Sequence, residues 1–140
     1  MPIQHSATRI GCTLAATLAL AFVPAAGQAA DTSPAQQLAQ FSALASRPGN
    51  APAGQAFFGA RHGGEWSCSS CHGAPPTQPG KHASTGKTIA PLAPAFNPAA
   101  FTDTAKVEKW FRRNCNDVAG RECTPLEKGD VIAFLMRFGK

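Results

Sequence analysis

The sequence predicts an all-α fold, four helices joined by turns and one long Pro/Gly-rich loop, gathered round a centre that the chain alone does not supply. Three observations carry this. Apolar residues recur at three- and four-residue spacing in separate stretches. Capping residues stand before those stretches, twice with proline at the first helical position. Residues 73–98 hold six prolines and neither helical nor strand periodicity.

The elements follow in order. Ser33 caps a first helix with Pro34 at its start; Leu38, Phe41, Leu44 and Ala45 form its apolar face, and Pro48-Gly49 ends it. Ala51 to Gly54 reads as a turn. Gln55 to His62 reads as a short helix carrying Phe57 and Phe58, closed by Gly63-Gly64. Thr102 caps the third helix, with Asp103 in its first turn favouring the dipole. Val107, Trp110, Phe111 and Asn114 fall at i, i+3, i+4 and i+7, one face, while Lys106, Glu108, Lys109, Arg112 and Arg113 take the others. Thr124-Pro125-Leu126-Glu127 is a capping box for the last helix, with Val131, Phe134, Leu135 and Phe138 as its stripe and Gly139 as its stop. No hairpin signal or internal repeat is present.

The first thirty of the 140 residues are of a different kind. Arg9 precedes the apolar run Ile10 to Val23, and Ala25-Ala26-Gly27-Gln28-Ala29-Ala30 follows. That is the pattern of a secretory leader, and the apolar run is too short for a comfortable membrane span. The expected organisation is a cleaved leader over 1–30 and one domain over 31–140, soluble, without a permanent anchor, and periplasmic. Without Arg9 the chain carries 12 Lys+Arg against 8 Asp+Glu, or +4. That charge does not call for nucleic acid, and at most gives a basic face that steers an acidic redox partner.

Cys68-Ser69-Ser70-Cys71-His72 names the missing centre. C-x-x-C-H is the attachment signature of a c-type haem: two thiols reach two vinyl groups, and the next residue turns an imidazole under the iron. A zinc site needs a second ligand pair at matching spacing, and none exists. A redox dithiol sits in a βαβ context and does not require a following histidine, and a disulfide across two residues would be strained. Cys68, Cys71 and His72 are therefore expected to hold one covalent haem c, His72 as iron ligand. The loop after the motif would wrap the haem edge, with Ile89, Leu92 and Phe96 as apolar contacts and Lys81, His82 and Lys87 near the propionates. Cys12 leaves with the leader. Cys115 and Cys123 remain, an even pair in an oxidising compartment, and are expected to form a disulfide worth about 2.5 kcal/mol for so short a loop.

The sixth iron ligand decides the function. Met136 is the one methionine after the leader, but it lies inside the last helix, where a packing role suits it better. His62 lies on the proximal side, and His82 sits in the loop. Asn114 shares the face of Val107, Trp110 and Phe111, next to Cys115. Its spacing is equally consistent with a haem-facing amide and with a helix C-cap.

A longer pattern bears on this choice. Lys106-Val107-Glu108-Lys109-Trp110-Phe111-Arg112-Arg113-Asn114-Cys115-Asn116-Asp117-Val118, with Gly120-Arg121-Glu122-Cys123-Thr124 and Glu127-Lys128-Gly129-Asp130-Val131, resembles the Sphaeroides haem protein-like cytochromes c. Glu65-Trp66-Ser67-Cys68, Thr85-Gly86-Lys87 and Phe96-Asn97-Pro98 match as well. The resemblance implies a class I cytochrome c-like helical fold around one covalently bound haem. It implies His72 and Asn114 as iron ligands, a disulfide beside the distal pocket, and an asparagine that leaves the reduced iron so that oxygen or nitric oxide binds. It also implies electron transfer with a dihaem cytochrome c and a membrane b-type cytochrome. The expectation is an electron carrier that binds a diatomic, rather than an enzyme. The alternatives are a plain carrier closed by Met136 or His82, and a haem oxidoreductase acting on oxygen, nitric oxide or peroxide.

Overall fold

The computed structural model describes Met1 and residues 30–139. The leader predicted over 1–30 falls, Met1 and Ala30 apart, outside the described residues. The helices are α1 (Pro34–Leu44), α2 (Ala51–Gly59), α3 (Cys68–His72), α4 (Thr104–Ala119) and α5 (Pro125–Leu135). The all-α class holds. The loop after His72 nevertheless carries one small antiparallel pair, β1 (Gly80–Lys81) and β2 (Thr88–Ile89), with Gly80 opposite Ile89 and Lys81 opposite Thr88. Its connection turns at Gly86 in left-handed backbone, a conformation that glycine adopts without strain.

Helix starts follow their caps. Ser33 accepts the Gln36 N–H, and Thr124 and Glu127 form the capping box of α5. The cap of α4 is Asp103, one residue later than expected: its carboxylate accepts the Lys106 N–H at 2.9 Å. α1 stops at Leu44, ahead of Pro48, and Leu44 is 62% exposed rather than part of the packed face. Gln37 is buried there instead, its amide bonded to Thr32 and Thr104.

The largest correction concerns 51–62. Ala51 to Gly54 is not a turn but the start of α2, capped by Asn50 with Pro52 in the first turn, and the helix ends at Gly59. Gly54 serves contact, not bending: a Cβ there would run into the Asp130 carbonyl oxygen of α5. α5 packs mainly on α2 and α1. It is buried nearly all round, with Ile132 and Leu135 at 0% exposure beside Val131 and Phe134, so one stripe understates it. It ends at Leu135, and Gly139 lies beyond a further turn, with φ +88.

Two apolar clusters result. Phe58, Val131, Phe134 and Leu135 form one; Phe41, Val107 and Ile132 form the other, and Phe111 packs against both. α4 is thereby tied to the α1–α5 layer. Lys128 of α5 reinforces the tie, with Nζ 2.7 Å from Glu108 Oε2 and over the rings of Phe41 and Phe111.

Candidate functional site

α3 is only five residues long, so its position depends on its surroundings. Ser67 caps it and forms a capping box with Ser70. Gly80 of β1 lies so close that a Cβ would strike the Cys71 carbonyl oxygen. Leu92 and Ala93 donate their N–H groups to Pro76 O at 3.2 and 3.0 Å, folding the loop back beside the motif.

These elements enclose a cavity of about 1260 Å³, partly open to solvent. That exceeds the roughly 300–1,000 Å³ of ordinary small-molecule clefts and suits a macrocycle. Its walls come from four helices and the loop: Cys68 and His72 of α3; Phe57 and Phe58 of α2; Val131 and Leu135 of α5; Val107, Trp110, Phe111 and Asn114 of α4; Ile89, Leu92 and Phe101 of the loop.

The chemistry of the donor set fits a haem. Burial lowers the His72 pKa and so favours the neutral imidazole, the form that binds a metal. Its Nδ1 is buried with no hydrogen-bond partner among the described residues, which is rare for a polar atom in a finished core. Burial also pushes the Cys68 thiol up to about 11. A redox dithiol depends on a depressed pKa, so the motif does not suit that use. Cys68 and Cys71 are both free of disulfide. Among the described residues no group of three His, Cys, Asp or Glu side chains converges on a point where a bare metal ion would bind.

Of the four residues expected at the site, Cys68, His72 and Asn114 line this cavity. Cys71 stands beside it, its Sγ accepting the Ala83 N–H at 3.4 Å. Asn114 is no helix cap, because α4 runs five residues beyond it to Ala119 and closes on left-handed Gly120. Cys115 is bonded to Cys123, with their Cα atoms 5.6 Å apart, which ties α4 to the segment before α5 at the residue next to Asn114. Met136 packs against the Phe41–Val107–Ile132 cluster and does not line the cavity. His62 bonds Phe57 O at 2.9 Å and stacks on Phe57, outside the lining. His82 lines the cavity from the loop, its Nδ1 3.2 Å from Ser84 Oγ.

The loop contacts divide. Ile89, Leu92, His82 and Lys87 line the cavity as expected; Phe96 and Lys81 do not, and Phe96 is 48% exposed. Lys106, Arg113 and Phe101 line it without having been expected there. Lys106 and Arg113 carry a readable signal, being seven apart and each one residue before a member of the Val107–Asn114 face. Phe101, with φ +62, has none.

The chain is similar to known cytochromes c. Residues 44–135 match the family described as Domain of unknown function (DUF1924). The chain is 52% identical over 111 residues to cytochrome c-type protein SHP of Cereibacter sphaeroides, spanning 76% of this chain and 85% of that one. The structure of oxidised SHP, described as an oxygen-binding cytochrome c, superposes with a TM-score of 0.71 at 51% identity, covering 75% of this chain and 96% of SHP. The solution structure of cytochrome c'' from Methylophilus methylotrophus, described as giving insights into haem-ligand detachment, gives a TM-score of 0.67 at 35% identity, covering 76% and 94%.

Proposed function

The chain belongs to the DUF1924 family as an SHP-type cytochrome c binding one haem c covalently, and from that premise we propose that it is an exported electron carrier whose reduced haem binds a diatomic ligand. In this reading Cys68 and Cys71 form the thioethers, His72 holds the iron, and Asn114 is a displaceable sixth ligand. The leader over 1–30 is removed on export to the periplasm. Redox partners are a dihaem cytochrome c and a membrane b-type cytochrome. No helix among the described residues is long and apolar enough to cross a membrane.

The observation that carries the reading is the sharing of one cavity by His72 and Asn114, with Met136 packed elsewhere. When bound, the haem supplies one-electron chemistry and, once reduced, an iron position that oxygen or nitric oxide can take. The residues do the rest. Burial lowers the His72 pKa, which favours the neutral imidazole that can bind iron. Phe58, Val131 and Leu135 keep water from the α2–α5 side of the cavity, and Val107 and Phe111 from the α4 side. Asn114 would offer an amide to the iron, a weaker donor than imidazole or thioether and hence one that a diatomic could displace. The Cys115–Cys123 bond holds the backbone next to Asn114 in place. Lys87, which lines the cavity, would supply positive charge for the propionates.

Two relatives support this reading: SHP is an oxygen-binding cytochrome c, and haem-ligand detachment is described for cytochrome c''. Stopped-flow mixing of the dithionite-reduced holoprotein with nitric oxide tests it. A saturable optical change within milliseconds is expected; a ferrous spectrum unaltered by nitric oxide rejects the reading.

A further inference from the structure

Within residues 30–139 three large apolar side chains stand exposed: Leu44, Phe96 and Trp110. Of these, only Trp110 also lines the haem cavity, so this indole, 47% exposed, forms part of the rim. Lys109 Nζ lies 5.4 Å from the ring centroid and the Arg113 guanidinium carbon 5.7 Å. Two neighbouring charges are already paired: Lys106 with Asp103 at 3.0 Å and Glu108 with Lys128 at 2.7 Å. Among the described residues Lys109 and Arg113 have no ion-pair partner. The indole is thus ringed by uncompensated positive charge where the cavity meets solvent.

We propose that Trp110, flanked by Lys109 and Arg113 on α4, is the docking site for an acidic electron-transfer protein. The proposal rests on the electron-carrier reading above. Tryptophan and arginine carry most of the binding energy at protein interfaces, and complementary charge sets the encounter rate. A partner seated on this rim lies against the mouth of the haem cavity. An anionic lipid surface would also attract cations beside an indole. It suits α4 poorly, because Val107, Cys115 and Val118 face inward and leave no apolar stripe to insert.

The test uses the holoprotein and reduced flavodoxin, a small acidic redox protein, as probe. The second-order rate of haem reduction should fall about tenfold or more from low to high salt. Lys109→Glu should lower the low-salt rate by about threefold, and Lys109→Glu with Arg113→Glu by about tenfold. Trp110→Ala should lower it at either salt concentration. Reduction of Lys109→Glu by an uncharged small reductant should match the native rate. A salt-independent native rate, or a charge-reversed protein as fast as native, overturns the docking site and leaves electron transfer standing. Failure of both reductants overturns electron transfer itself. Sedimentation with phosphatidylglycerol vesicles that Trp110→Ala abolishes would assign the rim to a membrane and overturn the proposal.

Discussion

The Asp130 carboxylate of α5 accepts the backbone N–H of Asn50, the residue that caps α2, at 2.6 Å. A side chain 8% exposed thereby fixes where α2 begins, and Gly54 lets the two helices meet one turn later. α2 carries Phe58, whose ring centroid lies 6.3 Å from that of His72, so this crossing bears on the haem motif.

Asp130→Ala should therefore destabilise the holoprotein by about 2 kcal/mol, the loss of a charge-assisted bond to a part-buried donor. Urea unfolding of the ferric protein measures it. Asp130→Asn, which keeps an acceptor, should lose less than half as much.

Acid stability should depend on Glu127. Hydrogen bonds from Arg121 at the α5 capping box lower its pKa from an ordinary 4.5 to about 2. A carboxyl depressed in the folded state contributes stability that is complete above about 4.5 and is lost as pH falls toward about 2. For a pair this near the surface the contribution is about 1 kcal/mol. Thermal melts of Glu127→Gln across that window should show a flatter pH dependence than native protein.

Capping signals are local, which is why Ser33 and the Thr124–Glu127 box could be read directly. Asn50 is as local a signal, but Pro52 and Gly54 after it imitate a turn. The reason Gly54 is glycine lies 76 positions away, at Asp130. The same holds for Gly80 against Cys71 and for the two-residue strands it begins. At the site, the α4 periodicity placed Val107, Trp110, Phe111 and Asn114 on one face, and all four line the cavity. Periodicity did not show that Trp110 would sit at the rim, nor that Lys106 and Arg113 would join the lining. Those depend on where the cavity opens, which no single segment specifies. Asn114 as an iron ligand came from the resemblance; its spacing left a helix cap equally open.

Removal of the disulfide by Cys115→Ser with Cys123→Ser should cost about 2.5 kcal/mol in urea unfolding, from loop entropy alone. It should also loosen the α4 segment that carries Asn114. The ferric optical spectrum should then broaden with temperature where that of native protein does not.

The account turns on Asn114, and resonance Raman spectroscopy of native, Asn114→Ala and Met136→Leu holoproteins tests it most directly, in ferric and ferrous states with and without carbon monoxide. The native ferrous haem should be five-coordinate, high-spin and open to carbon monoxide. Asn114→Ala should change the ferric spectrum and leave the ferrous one intact, and Met136→Leu should change neither. A native ferrous haem that is six-coordinate, low-spin and closed to carbon monoxide would contradict the account, the more so if Met136→Leu opened it.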